Sequence, residues 1–517
     1  MKKNRMLYLL TMSLFLVIFS SCGKDDIEVV ESGTSVSYDD VDFDRTITVI
    51  FSSSGNATVS GQGDDQTVSI SGNGVTVTNT GSEMITYSLS GSTSNGFLKV
   101  YSASAQAIKL NGVSVTNTSG AAINIQGSAE SLSSGAVTYV VLEGTNTLGD
   151  GSTYSNTPDD EDEKGAIFAE GPLVFSGDGS LTVKAVGKSG IMSDDDVTIN
   201  GGTITVTSTA KVFVTNGDTT KVAGVKAKDG FVMNDGNLTV TCSGTGARGM
   251  SSDGTATING GTINITVTGS NFGSSSGNGG NHGGPGGNSS SSDNSVAAKG
   301  MKFDGNITVT GGTLIVNCSN HEAIESKGEI NVSGGHIYSH SAGDDAINSS
   351  SNLTIDDGYV CAYSSANDGI DANGNLYING GVVYAIGSSS PELAIDANTE
   401  GGYKLYVNGG TLIAIGGLES GSSLSQSCYS TSSWSSSTWY SMTVGNTVYA
   451  FKTPSSAGSS LIVSASSTPT LKSGVSASGG TEYFNGMLLV GASVSGGNSV
   501  SLSSYNGGNS GGGPGGH

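Results

Sequence analysis

A short pattern recurs through the middle of the chain: a small residue followed by an aliphatic side chain or methionine. It occurs nine times, at Ala166-Ile167, Gly190-Ile191, Gly224-Val225, Gly249-Met250, Gly300-Met301, Ala323-Ile324, Ala346-Ile347, Gly369-Ile370 and Ala394-Ile395. Ten and eleven residues after the apolar member comes a turn such as Gly201-Gly202, Asp235-Gly236, Gly311-Gly312 or Gly380-Gly381; only the ninth unit slips, reaching Gly409-Gly410 after four extra residues. Strand-like alternation flanks the turns, as in Ile307 and Val309 then Leu314 and Val316, or Leu353 and Ile355 then Val360.

Residues 306–328, 329–351 and 352–374 are successive units of 23 residues each. A unit this short, with two or three strands and no helix, cannot close a core alone, but stacked coils bury a shared apolar column. The pattern therefore predicts an all-β chain folded as a parallel β-helix of about 23-residue coils, right-handed by the rule for parallel crossovers. The small residue before each aliphatic one suits a corner too sharp for a large side chain.

Around residues 151–417, assigned to the β-helix, the pattern weakens. Residues 39–150 alternate less regularly and are expected to form irregular first coils and a cap. Residues 271–294, nearly all Gly, Ser and Asn, read as a disordered loop between coils. Short runs at Val448 to Phe451, Ser460 to Val463 and Met487 to Val490 predict a β cap over 418–505, needed because an open coil end templates aggregation. A disordered Gly-rich tail, 506–517, follows. The five acids Asp159 to Glu163 read as a solvated loop or a cation site.

Composition narrows the function. With 81 glycines, 13% charged residues and a net charge of −23, the chain lacks the basic face that nucleic acid requires, whereas metal cations suit it. Lys2, Lys3 and Arg5 precede an apolar run from Met6 to Phe19, too short to span a bilayer and right for a signal peptide over 1–21. Phe19-Ser20-Ser21-Cys22 resembles a bacterial lipobox, which implies lipidation of Cys22 and a linker over 22–38. Gly23-Lys24-Asp25-Asp26 is similar to the tag on exported Bacteroidetes lipoproteins, implying a lipid-anchored outer-membrane protein at the cell surface. Cys242, Cys318, Cys361 and Cys428 are expected as free thiols. Cys242 and Cys318 hold equivalent positions with one coil between them, so about 10 Å would separate their Cα atoms.

Stacking turns equal positions into columns. Three coils place His321-Glu322-Ala323-Ile324-Glu325, Asp344-Asp345-Ala346-Ile347-Asn348 and Asn367-Asp368-Gly369-Ile370-Asp371 above one another. Carboxylates about 5 Å apart repel by roughly 1 kcal/mol in water and 3 to 4 kcal/mol at an effective dielectric near 20. Ca²⁺ accepts carboxylate and amide oxygens and tolerates irregular geometry. Glu322, Glu325, Asp344, Asp345, Asp368 and Asp371, with Asn348 and Asn367, are therefore the candidate Ca²⁺ ligands. The alternative is a solvated acidic ridge, partly neutralised by Lys299 and Lys302.

On the strand after each glycine turn, Tyr338, Cys361 and Tyr384 align, with His340 and Tyr363 two residues further along. Alternation points them away from the core, where aromatic rings could stack on sugars or form a ladder that merely stabilises the sheet. Tyr338, His340, Tyr363 and Tyr384, with Lys299 and Lys302, are the candidate ligand-binding residues.

These Asp-Asp-Ala-Ile-Asn and Asn-Asp-Gly-Ile-Asp coils, set among turns such as Asn259-Gly260-Gly261 and Asn379-Gly380-Gly381, resemble the bacterial carbohydrate-binding β-helix family of clostridial polygalacturonate-binding type. That family is distantly similar to family nine pectate lyases, and the resemblance spans about Gly165 to Gly417. It implies a right-handed β-helix with calcium ions between coils and binding of acidic polysaccharide without demonstrated turnover. Glu322, Glu325, Asn348 and Leu393 depart from the family pattern.

The sequence thus reads as a monomeric, calcium-dependent, carbohydrate-binding surface lipoprotein for acidic plant-type polysaccharide. Two alternatives stand beside it. A polyuronate lyase would need a lysine base, for which Lys299, Lys302 and Lys327 are the candidates; a structural spacer or adhesin would bind no glycan. The sequence contains no Ser-His-Asp set, zinc pattern or phosphate loop, and no catalytic residue is assigned.

Overall fold

The computed structural model describes residues 38–127, 135–155, 161–273, 295–431 and 433–508. The expected signal peptide, Cys22, the expected linker up to residue 37, most of the Gly-rich loop and the tail from 509 onward lie outside the described residues.

From Arg45 the chain coils. Among the described residues, one 27-stranded sheet and one 13-stranded sheet run along the stack, built mainly of parallel pairs between equivalent strands of successive coils. In the narrower sheet Met301, Ile324, Ile347, Ile370 and Ile395 are successive in-register partners. Stacking already links Arg45–Phe51 to Ile85–Thr93, and Gly96–Ser102 to Ile123–Gln126. Residues 39–150 therefore contribute strands to the same parallel stack.

Local chemistry explains each coil. The second residue of the glycine turns adopts positive φ, as at Gly312 (+75°), Gly335 (+80°), Gly358 (+96°) and Gly381 (+69°), where a side chain would be strained. At the corner before Met301, a Cβ on Gly300 would stand 2.3 Å from the Ala323 carbonyl oxygen and 2.3 Å from a Val316 methyl. Between corners and turns the alternating side chains point inward, and one apolar column runs from Ile47 to Leu418 and on to Ile462. Cys242 and Cys318 are both in-register partners of Val267, two rungs apart, and all four described cysteines are free and buried.

The coil stack ends on Leu461–Ser464, which pairs antiparallel with Thr411–Ile415 and Cys428–Thr431 and so covers a sheet edge. A separate six-stranded antiparallel sheet, from Trp439–Val444 to Ser493–Val500, lies against the outer side of the coil wall. Wall residues Cys361, Val382, Tyr384, Ile386, Ile413 and Ile415 share an apolar cluster with Tyr440, Phe451 and Leu488 of that sheet.

Candidate functional site: a carboxylate ridge on the narrow sheet

The outer face of the narrow sheet carries a column of polar residues. Lys302, Glu325, Asn348, Asp371 and Asp396 are successive in-register partners, each between two buried neighbours of which the first is methionine or isoleucine. Two residues ahead of each aliphatic position stand Lys299, Glu322, Asp345 and Asp368. The β-ladder spacing thus brings the predicted acids together along one side, and the column changes from basic to acidic along its length.

At the basic end lysines already neutralise the acids. The Lys299 ammonium lies 3.0 Å from Glu322 and 2.5 Å from Glu325, and Lys327 lies 2.5 Å from Glu325. Glu325 is only 1% exposed; burial alone would raise its pKa, but Lys299 and Lys327 hold it below the usual range. Lys302 pairs with Asp304. His321 contacts Glu322 and lies 2.9 Å from Asp344. Burial disfavours the imidazolium, yet the hydrogen bonds to Asp344 and Glu322 outweigh it and raise His321 to about 9. His321, Glu322 and Asp344 could converge on a metal, with ligand atoms within 4.8 Å of one another, but a proton on His321 already supplies positive charge there.

The acidic end is different. Asn348 Nδ2 donates to Asp345 at 2.8 Å and to Asp371 at 2.9 Å, while Asn367 Nδ2 donates to Asp344 at 2.8 Å. The Asp368 backbone N–H donates to Asp345 at 3.1 Å, and the Leu393 N–H donates to Asp368 at 2.5 Å. Among the described residues no lysine or arginine pairs with Asp345, Asp368 or Asp396. Burial, with Asp371 and Asp344 close by, raises Asp345 well above the usual carboxylate range. Burial and the neighbouring Asp371, Glu392 and Glu419 push Asp368 up to about 8, although the Leu393 hydrogen bond opposes them. Burial, a hydrogen bond with Glu419 and the charge of Asp368 push Asp396 up to about 10. Three carboxylates in adjacent coils therefore hold a proton or a cation more readily than a free carboxylate does.

Asp396 and Glu419 were absent from the predicted ligand set. Asp396 was legible, since it continues the Glu325, Asn348, Asp371 column. Glu419 was not: it lies beyond the repeat and joins because its backbone N–H donates to the Ile395 carbonyl at 3.0 Å.

The expectation of a second, exposed aromatic column needs correction. Tyr338, Cys361 and Tyr384 do align, as do His340 and Tyr363, and all point away from the coil core. Tyr384 and Cys361 are nevertheless 0% exposed, because the antiparallel sheet covers them. The Tyr384 hydroxyl donates to the Lys452 carbonyl at 2.8 Å, so this ring holds the sheet on and cannot meet a sugar. His340 and Tyr363, half-buried with centroids 4.8 Å apart, form a contact of their own; Tyr338 is half-buried at the edge of the covered area. The missed signal was in Val382-Val383-Tyr384-Ala385-Ile386 and Thr411-Leu412-Ile413-Ala414-Ile415, whose apolar residues occupy both faces, as in strands buried on both sides.

At the end of the acid run Asp159 to Glu163, the side chains of Glu161 and Glu163 are covered, whereas Asp162 is exposed to solvent. Glu161 lies 2.5 Å from Lys99, Glu163 accepts from Asn124 at 2.7 Å, and Asp162 lies 2.7 Å from Lys164. Asp162, Glu170 and Asp194 have oxygens within 4.8 Å of one another, and Lys164 bridges Asp162 and Asp194. Burial, with Asp194 nearby, pushes Glu170 up to about 7. Asp159 and Asp160 lie outside the described residues.

Fold and ridge together define a coiled parallel β protein carrying an oxygen-rich polar face. Residues 71–346, more than half of the chain, match the family model described as carbohydrate-binding domain-containing protein. The chain belongs to that family. Among solved structures, the polysaccharide lyase-like protein from C. thermocellum, as a gadolinium derivative, is similar at a TM-score of 0.34 and 18% identity, over 56% of this chain and 93% of that one. A likeness of that size carries no argument about this chain. No curated protein matches it.

Proposed function

We propose that the protein binds acidic polysaccharide through Ca²⁺ held at the acidic end of the ridge. The supporting observation is the set of adjacent buried carboxylates Asp345, Asp368 and Asp396, all with raised pKa values and without a lysine or arginine partner among the described residues. The donors fit a hard cation, which takes about six to eight oxygens from carboxylates, amide carbonyls and water. Asp345, Asn348, Asp368, Asp371 and Asp396 would hold it, with Asn367, Asp344 and Glu419 alongside. Glu322 and Glu325 are left out because Lys299 and Lys327 already neutralise them. A bound dication would allow uronate carboxylates to approach an otherwise repulsive surface. Isothermal calorimetry on chelator-treated protein tests the ion, and a glycan array read with calcium and with chelator tests the polymer. Absence of heat at micromolar to low millimolar calcium, or glycan binding indifferent to chelator, refutes this reading.

Cleavage of a polyuronate is a second reading, favoured by Lys302, which burial and the nearby Arg248 push down to about 8. A neutral Lys302 amine would take the proton α to the uronate carboxylate, the adjacent C–O bond to the leaving sugar would break, and a ring double bond would form. Ultraviolet absorbance from that double bond, lost in Lys302→Met, would support it; unchanged absorbance on prolonged incubation would refute it.

We further propose attachment to the outer membrane through a lipid on Cys22, with the coils facing outward. Mass spectrometry of the mature amino terminus tests this, and membrane retention of a Cys22→Ala chain would refute it. Among the described residues no helix is long and apolar enough to cross a membrane.

A further inference from the structure

A cleft of about 240 Å³ opens where the antiparallel sheet stops covering the coil wall. Its floor is Thr313, Ile315 and Tyr338 of the wall, and its overhang is Glu482 and Tyr483, at the end of the strand Thr481–Tyr483, with Phe484 and Asn485 of the turn that follows. Aromatic rings form one flank: Tyr359 and Tyr483 stack with centroids 3.9 Å apart and planes 6° apart, and His336 stands edge-on to both at 5.4 and 5.1 Å. The overhang is held in an unfavourable backbone. Phe484 (φ +58°) and Asn485 (φ +52°) both adopt the left-handed region, where a phenylalanine is a true outlier. Burial of the Phe484 ring in the apolar cluster anchors the turn and leaves Glu482 and Asn485 exposed. Strain of this kind persists where surrounding structure enforces it, and it concentrates at binding sites.

We propose that this cleft is a carbohydrate subsite for a single neutral pyranose ring, working without metal; the proposal rests on the carbohydrate-binding reading above. The apolar face of a pyranose suits the Tyr338 ring, while its hydroxyls suit the Glu482 carboxylate, the Asn485 amide, the His336 imidazole and the Thr313 hydroxyl. The volume lies below the roughly 300–1,000 Å³ of sites for drug-sized ligands, so it admits one ring rather than several. Charge decides between sugars: Glu482 would repel a uronate, and the cleft supplies no second carboxylate with which to share a dication. One wall lies within residues 71–346 and the overhang lies outside them, so the site would belong to this chain's own antiparallel sheet rather than to the matched family segment.

The test uses the full chain in chelator, titrated with neutral gluco-, galacto- and manno-oligosaccharides by saturation-transfer NMR and calorimetry. At least one should bind, with affinity reduced tenfold or more in both Tyr338→Ala and Glu482→Ala. Glu482 is exposed, so its substitution does not disturb the core, and thermal melts identify any variant that fails to fold. If no neutral oligosaccharide binds in chelator, or if binding ignores both substitutions, the proposal is overturned. Polyuronate binding in calcium, measured on the same samples, separates the outcomes: if it persists, only the cleft falls; if no glycan binds under either condition, the carbohydrate-binding reading falls as well.

Discussion

Replacing Asp368 by asparagine should make the cation-free protein more stable at neutral pH and flatten its response to pH. Asp368 is 7% exposed, and burial with neighbouring acids raises it from 3.8 to about 8. A proton therefore binds the folded chain more tightly than the unfolded one. The stability it contributes is fully present below the unfolded value of 3.8 and is lost as pH rises through about 8. Each pH unit within that window costs about 1.4 kcal/mol, so going from about pH 5 to about pH 7 removes roughly 3 kcal/mol. Asparagine keeps an oxygen for the Leu393 N–H but carries no charge, so Asp368→Asn should lose that slope. Calcium at a hundred times its Kd should stabilise the wild type by about 2.7 kcal/mol at neutral pH and the variant by much less. The assay is urea denaturation of chelator-treated protein at both pH values, with hydrogen exchange at residues 367–397, because stacked coils can open locally. Equal stability of the chelated wild type at both pH values, or an unchanged slope in the variant, would refute the reasoning.

Three further outcomes are expected. An NMR titration should place the His321 midpoint near 9, so its stabilising contribution is complete below the ordinary 6.5 and disappears as pH rises through 9; an unshifted midpoint would show that the contacts to Glu322 and Asp344 do not hold the proton. Lys299→Met should destabilise the chain by about 3–5 kcal/mol by leaving Glu322 and the fully covered Glu325 undercompensated, and an unmoved urea midpoint would contradict the ion-pair assignment. Tyr384→Ala should cost about 3–5 kcal/mol and expose residues 439–500 to limited proteolysis while calcium binding persists; unchanged protease resistance would mean the ring does not hold the antiparallel sheet.

The coils were legible because each supplies a short run of the same chemistry: an apolar residue at the inward position, a small one at the corner, and a glycine where φ must be positive. Equal spacing then placed Glu325, Asn348 and Asp371 in one column, and the parallel ladder holds them there. The same spacing placed Lys299 and Lys302 one coil away from those acids, but did not determine which of the acids they would reach. Glu322 and Glu325 meet Lys299, whereas Asp345 and Asp368 meet other carboxylates, a difference produced by which coil lies next in the stack.

The sequence alone determined the coiled parallel architecture and the existence of a polar column, since both follow from local periodicity repeated along the chain. Only the tertiary structure decided which outward residues meet water. The antiparallel sheet of residues 439–500 folds back over Cys361 and Tyr384, leaves Tyr338 at an open edge, and brings Glu482 and Asn485 to it. Strand alternation specifies which face a side chain takes, but what covers that face depends on apolar surface contributed by residues far away in the chain, which no local pattern encodes.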